Sequence, residues 1–281
     1  MSYAVAVVAR NAADTIRSTL RSVLNQTLRP ARVLVVNDGS TDETDRFLSD
    51  YVYRYGDLVQ VLTRPDRGYD IRRVPANINL ALRTAETELS TDFFMISGDD
   101  CIYPVDYAKT LIDRMLSESR VVVASGQPSS GKATSQENVP SGSGRMINCR
   151  FWREIGSRYP LRAGWETWLL YKAEEKGFKV KLLGDLVFDH ARPRGAKHQF
   201  FYWGAAMQTL GYHPLYALGR IAKNVVTRSM NLRGSMSFFR GYLQACLGSE
   251  DGFMSPFEPT LRRFVRLSQT KRIMRIIAAL L

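Results

Sequence analysis

The sequence lacks most of the features that mark secreted, membrane-spanning or metal-stapled proteins. Its 281 residues hold three cysteines, Cys101, Cys149 and Cys246. They are widely separated, odd in number and match no zinc spacing, which points to a reducing compartment. No stretch approaches the ~18 apolar residues needed to span a bilayer. Residues 1–9 form an apolar run with no basic segment before it, so they read as a first strand and not as a signal peptide. We therefore expect a protein made and kept in the cytoplasm. The apolar and charged fractions, 45% and 23%, are those of an ordinary globular chain, and the length suits one large domain or a domain with an appendage.

Charge is the unusual property. Lys and Arg number 39 against 27 Asp and Glu, a net charge of +12. From residue 201 onward there are 11 basic and 3 acidic residues, so under a third of the chain carries two thirds of the excess. Such a tail favours a polyanion: phospholipid headgroups, a phosphorylated lipid or nucleic acid.

The first 125 residues alternate apolar runs with helical periodicity. Strands are expected at Ala4–Ala9, Val33–Asn37, Val59–Thr63, Phe93–Ser97 and Val121–Ser125. Helices are expected at Asp14–Leu28, Thr41–Tyr55, Ala76–Ala85 and Pro104–Ser117. This alternation predicts an α/β fold with a mostly parallel sheet, in which ligands bind beyond the carboxyl ends of the strands. Gln127–Ser143 is rich in Ser, Gly and Pro and reads as a mobile loop. Helices follow at Asn148–Gly156 and Glu166–Lys176, with strands at Phe178–Leu183 and Leu186–Phe188. A boundary is expected near residue 200, dividing a catalytic domain (1–200, with halves of about 1–125 and 126–200) from a basic helical tail (201–281).

In the tail, Leu215, Leu218, Ile221, Ala222, Val225 and Val226 share one helical face, as in an amphipathic helix. Leu261, Phe264 and Val265 form one later stripe, and Ile273, Ile276, Ile277 and Leu280 another, out of phase with it. A break near Ser268–Thr270 is expected.

Two acidic turns end expected strands. Asp38 follows Val33–Asn37 and precedes Gly39, Ser40, Thr41 and Asp42, well placed to accept from a base N–H. A turn with an N-cap would use the same residue types. Asp99 and Asp100 follow Phe93–Ser97. Adjacent acids repel unless something positive neutralises them, and hard cations such as Mn²⁺ or Mg²⁺ take carboxylate and phosphate oxygens together.

These segments, read in order, resemble the family 2 glycosyltransferases. The resemblance runs through Val5–Asn11, Ser22–Thr27, Val35–Asp42, Ala76–Ala81 and Ser97–Pro104, and covers residues 4 to about 192. It implies a GT-A fold and inverting transfer of a sugar from a nucleoside-diphosphate sugar donor. It further implies that Ala9, Asn11, Asp38, Arg73, Asn79 and Asp99 bind the nucleotide sugar, and that Asp99, Asp100 and His190 hold Mn²⁺ or Mg²⁺. Arg192 and Arg194 would meet the diphosphate, and Gly144 and Trp165 the acceptor. Glu166 falls on the position of the general base, with Glu for the usual Asp. The sequence departs from the family where Ser97 replaces a frequent Asp and where Pro is missing near Ala9.

The basic tail, with Phe200, Phe201, Tyr202, Trp203, Tyr212 and Tyr216, suits peripheral attachment to the cytoplasmic face of an anionic membrane and a lipid-linked or growing glycan acceptor. A helical appendage packed on the catalytic domain or on a second subunit would also fit. Nucleic acid is disfavoured because no recognised binding motif accompanies the charge. Two rivals stand. A non-catalytic basic scaffold for membrane or nucleic acid would leave the acidic turns without a purpose. A nucleotidyltransferase would want a Gly-rich loop after the first strand, where Ala9-Arg10-Asn11-Ala12-Ala13 has none.

Overall fold

The computed structural model describes residues 1–129, 139–192, 200–226 and 231–278. The chain divides into two compact units. The first comprises residues 1–159 and 176–196, the second residues 160–175 and 197–281. The boundary expected near 200 thus lies close to the third crossing, at 196/197, but the segment 160–175 belongs with the tail. Its helical pattern alone says nothing about which core it joins.

The first unit is an α/β layer structure. In chain order it contains β1 (Tyr3–Ala9), α1 (Ile16–Leu24), β2 (Arg32–Asn37), α2 (Thr44–Tyr55), β3 (Val59–Thr63), α3 (Val74–Glu88), β4 (Phe93–Ser97) and β5 (Cys101–Ile102). It continues with α4 (Tyr107–Ser117), β6 (Val121–Pro128), β7 (Arg145–Asn148), α5 (Cys149–Glu154) and β8 (Lys179–His190). The eight strands form a sheet in the order β3-β2-β1-β4-β7-β6-β8-β5. Strands β1 to β4 are parallel, as the alternation with helices predicts. Central β1 is almost continuously buried, the pattern of a strand covered on both faces.

Beyond β4 the sheet becomes mixed. β7 is antiparallel to both β4 and β6, and β5 is antiparallel to β8. β7 has only four residues and no period of its own, so it leaves no mark in the sequence. The two strands expected over 178–188 are one strand with an irregularity. Gly126 pairs with Leu183 but Gln127 with Val187, leaving Gly184 to Leu186 as excess on β8. The loop expected from Gln127 begins later, since β6 reaches Pro128; residues 130–138 lie outside the described residues.

The core of this unit packs Tyr3, Val5 and Val7 of β1 against Ile16, Leu20 and Val23 of α1. These helix residues are the ones spaced for burial in the sequence.

The second unit is helical: α6 (Trp165–Glu175), α7 (Phe200–Thr209), α8 (Pro214–Val226), α9 (Leu232–Leu247) and α10 (Pro259–Ala278). α10 runs through Ser268–Thr270 without the expected break. Leu261, Val265 and Gln269 are buried at four-residue spacing, and the side chains of the second expected stripe, Ile273, Ile276, Ile277 and Leu280, lie outside the described residues. α7 and α9 pack with backbones almost touching. A Cβ on Gly204 would stand 1.8 Å from the Phe238 carbonyl oxygen, and one on Gly241 1.8 Å from that of Phe201. Around this contact Ala163, Ala205, Ala245, Phe253 and Met254 form a small core that takes in Phe201 and Tyr202. Tyr212 is also turned inward, its hydroxyl 2.7 Å from that of Tyr171.

Glycine substitutions in the second unit should therefore differ in sign. Gly241→Ala is expected to lower stability by about 1–3 kcal/mol through overpacking. Gly219→Ala, on an open face of α8, is expected to raise it by up to ~1 kcal/mol through helix propensity. Thermal denaturation of both variants checks this, and equal effects would contradict the close α7–α9 approach.

Candidate nucleotide and metal site

The parallel register carries the site. Ala9 of β1 lies opposite Asn37 of β2, and Val7 lies opposite Ser97 of β4. The carboxyl ends of the three strands therefore release Arg10, Asp38 and the Gly98-Asp99-Asp100 turn along one edge, where a doubly wound sheet binds ligands.

Asp38 is buried, its amide donating to the Ala9 carbonyl at 2.9 Å. Its Oδ2 accepts from Nε and an η-nitrogen of Arg73 at 3.3 and 3.1 Å. Arg73 reaches it from the 3₁₀ turn Ile71–Arg73 that leads into α3. Asn11, held at φ +48°, ties the first loop to the second: its amide donates to Ser40 Oγ at 3.0 Å, and its Oδ1 accepts from the Thr41 amide at 2.8 Å. Gly39, at φ +67°, is required in that second loop, because a Cβ there would lie 2.4 Å from the Asp66 Cα.

Arg10 was not among the expected site residues, yet its guanidinium links the elements. It donates to the carbonyls of Asp38 and Gly39 and forms a 2.7 Å ion pair with Asp66. An arginine directly after the first strand at the binding edge was the available signal.

The second acidic turn is crowded. Asp99 Oδ2 accepts from the Arg10 amide at 3.4 Å, and its Oδ1 lies 3.6 Å from Arg192. Arg192 also donates to Asp14 and Thr15. Asp100 Oδ1 lies 3.2 Å from His190 Nδ1. Antiparallel pairing of β5 with β8 sets Cys101 opposite His190, and the thiol lies 3.7 Å from both Nδ1 and the Asp100 carboxylate. No local sequence signal could have joined residues 89 positions apart.

Burial pushes the Asp99 carboxyl up to about 6, against the pull of Arg192. Asp100 is raised by burial but brought below the usual range by the hydrogen bond from His190. His190 is pushed up to about 9, first by its bond to Asp100 and then by Cys101. Ser97, where the family often has Asp, is buried and accepts a 2.9 Å hydrogen bond from Tyr103.

Could these side chains hold a divalent cation? Two neighbouring ligands of a cation bound at ~2.1 Å lie about 3 Å apart, close to the spacing of Asp100 Oδ1 and His190 Nδ1. Among the described residues, Asp100, Cys101 and His190 form a group whose donor atoms lie within 4.8 Å of one another; Asp99, the preceding residue, faces Arg10 and Arg192 instead. The Asp100 carboxylate and the His190 imidazole suit Mn²⁺ or Mg²⁺, whereas the Cys101 thiol is a softer donor than these cations prefer.

Three expected site residues are committed elsewhere. Asn79 exchanges a pair of hydrogen bonds with the Tyr159 backbone, at 2.8 and 2.7 Å, so both ends of its amide are used in packing. Gly144 is buried beneath Tyr107, whose hydroxyl donates to its carbonyl at 2.8 Å; a Cβ there would meet that hydroxyl at 2.3 Å. It is a turn residue, not an exposed acceptor contact. Ala9 is fully buried, and its carbonyl is taken by Asp38. Arg194 lies outside the described residues.

Glu166 and Trp165 belong to the second unit, at the first turn of α6. Gly164 precedes them at φ +91°, packed within 3.0 Å of Leu210 as a Cβ would measure it, so the start of this helix is held against the end of α7.

The sequence matches the profile of glycosyl transferase family 2 over residues 4–178. No curated protein sequence matches it. Among solved structures, it is similar to the mannosyltransferase PcManGT from Pyrobaculum calidifontis in complex with GDP-Man and Mn²⁺ (TM-score 0.57, 16% identity, 99% of this chain and 79% of that one). S. aureus TarS 1–349 in complex with UDP gives TM-score 0.56 and 16% identity over 74% of this chain. GalNAc-T7 with UDP, GalNAc and Mn²⁺ gives 0.59 and 15% over 75%. The chain spans 64% of that TarS chain and 48% of the GalNAc-T7 chain.

Two outcomes follow from the geometry. Protons on His190 (about 9) and Asp99 (about 6) compete with a cation, so metal affinity should rise with pH. The thermal stabilisation by Mn²⁺ is expected to be larger at about pH 8.5 than at about pH 6, and to lose much of that dependence in His190→Ala. A pH-independent shift would contradict the assignment. Asn79→Ala should cost about 1–3 kcal/mol of stability and leave nucleotide affinity unchanged; weakened nucleotide binding with intact stability would restore Asn79 to the site.

Proposed function

Because the chain belongs to glycosyl transferase family 2, we propose that it transfers a sugar, with inversion, from a nucleoside-diphosphate sugar to a hydroxyl of a lipid-linked or growing glycan. The observation that carries this reading is the convergence of Asp38–Arg73, Asp99 and Asp100–His190 on one edge of a GT-A sheet.

In this reading Asp38 recognises the base. Both hydrogen bonds from Arg73 fall on Oδ2; in this reading Oδ1 accepts from a ring N–H of uracil, thymine or guanine. Asn11 and Arg10 hold the two loops that frame the base, and Asp99 accepts from the ribose. Asp100 and His190, with Asp99 beside them, would hold Mn²⁺ or Mg²⁺, which supplies positive charge for the departing diphosphate. Arg192, already at the acids, adds a second cationic partner for the diphosphate, and Arg194 is proposed to join it. TarS solved with UDP-GlcNAc and PcManGT solved with GDP-Man and Mn²⁺ support a donor of this class.

Glu166 acts as the general base. The acceptor oxygen attacks the anomeric carbon from the face opposite the diphosphate while its proton passes to Glu166. The carbon–acceptor bond forms as the carbon–phosphate-oxygen bond breaks, and the nucleoside diphosphate leaves with the electron pair. Trp165 offers an aromatic surface to the acceptor sugar. The acceptor is presented at the cytoplasmic face of an anionic membrane, a reading supported by the excess of basic residues after position 200.

Replacing Glu166 with Gln removes the base while preserving shape. Donor affinity is expected to be retained and turnover to fall by about 10²–10⁴-fold. Radiolabelled transfer with parallel nucleotide titration reads both; full transfer in this variant would refute the base assignment.

A further inference from the structure

α9 is apolar on two opposite faces. One face builds the fold: Gly234, Phe238, Gly241, Tyr242 and Ala245 are buried, and Gly241 meets the α7 backbone. The other carries Leu232, Met236, Phe239, Leu243 and Leu247, spaced i, i+4, i+7, i+11 and i+15, which at ~100° per residue fall within a quarter turn. All five are exposed, by 43% to 85%. α8 repeats the feature, with Leu215, Leu218, Val225 and Val226 all exposed. Scattered surface leucines need no explanation, but an aligned stripe four turns long is the mark of an interaction surface.

The charge around the stripe selects its partner. Between residues 201 and 249 the sequence has five basic residues, Arg220, Lys223, Arg228, Arg233 and Arg240, and no acid. Arg233 and Arg240 are exposed and lie roughly 60–80° to one side of the stripe's centre. Their long stems can lie along the apolar face while the guanidinium groups reach outward. A second copy would bring the same cations against themselves, because a two-fold interface is self-complementary. An anionic lipid surface offers both what the stripe needs and what the arginines need: hydrocarbon below and phosphate at the level of the charge.

We infer that the outward face of α9, centred on Met236, Phe239 and Leu243 and flanked by Arg233 and Arg240, is a docking surface that inserts into the headgroup region of an anionic membrane. Of the α7 aromatics, Phe201 and Tyr202 pack against the second unit's small core, whereas Trp203 is 48% exposed. The inference deepens the reading of a membrane-presented acceptor and rests on it for its purpose, but not for its test.

The test is cosedimentation of the full chain with vesicles of phosphatidylcholine alone, or with about a third phosphatidylglycerol. The wild-type chain is expected to partition at least about tenfold more strongly onto the anionic vesicles, and less so in high salt. Met236→Glu/Phe239→Glu/Leu243→Glu, on exposed positions, should lower that partition at least about tenfold with thermal stability and metal-linked UDP or GDP binding unchanged. Arg233→Gln/Arg240→Gln should weaken only the component that depends on anionic lipid. Wild-type partitioning by the triple variant overturns the inference. So does a concentration-dependent dimer, abolished by the same variant, in a chain that binds neither vesicle. Nucleotide binding measured on the same samples keeps the two readings apart: its loss in the wild-type chain would count against the transferase, and loss of vesicle binding alone against the docking face.

Discussion

The parallel pairing of β1 with β2 on one side and β4 on the other is the constraint from which the site follows. Once Ala9 lies opposite Asn37 and Val7 opposite Ser97, the chain must leave all three strands at the same edge. Each exit then contributes polar groups that are distant in sequence: Arg10 from the first, Asp38 from the second, and Asp99 with Asp100 from the third. A slip of one residue in either pairing would turn every side chain to the opposite face and dissolve the cluster. The buried apolar residues of β1 and β2 hold the register because both faces are covered, so the hydrophobic core and the polar edge are specified together.

Concentrating carboxylates at one edge has an electrostatic cost, which neighbouring cations offset. Arg73 covers Asp38, Arg10 pairs with Asp66, Arg192 lies against Asp99 and Asp14, and His190 bonds Asp100. The compensation is incomplete at Asp99, whose carboxyl is raised by burial. A cation or a diphosphate–cation pair arriving here meets groups already arranged for opposite charge, with little reorganisation left to do. Tyr103 holds the Ser97 hydroxyl, and of the two carboxylates in the turn Asp100 is the one bonded to His190, while Asp99 faces Arg10 and Arg192.

The readable parts of this chain were those with local causes. The apolar runs and helical spacings through residue 125 give the parallel strands and their helices because each element's period is written in its own residues. The acidic turns were legible for the same reason, since a turn directly follows its strand. What escaped depends on partners remote in sequence. β7 is a strand only because β4 and β6 flank it. Asn79 and Gly144 look like site residues until Tyr159 and Tyr107 are brought against them. Cys101 reaches His190 through strand pairing across 89 positions. α10 is continuous through Ser268–Thr270, with Leu261, Val265 and Gln269 buried, an outcome that its two stripes alone do not decide. The segment 160–175, carrying Glu166, joins the tail because Ala163 and Gly164 pack with the helical unit.

The edge formed by Asp38, Asp99, Asp100 and His190 is proposed as a metal-linked nucleotide-sugar site. Calorimetric titration with UDP, GDP and dTDP, each with and without Mn²⁺, addresses it most directly. At least one nucleotide is expected to bind, Mn²⁺ to tighten it about tenfold or more, and Asp38→Asn and Asp100→Asn to weaken the nucleotide and metal components respectively. Absence of binding by all three nucleotides, with or without the cation, in a folded chain would contradict it.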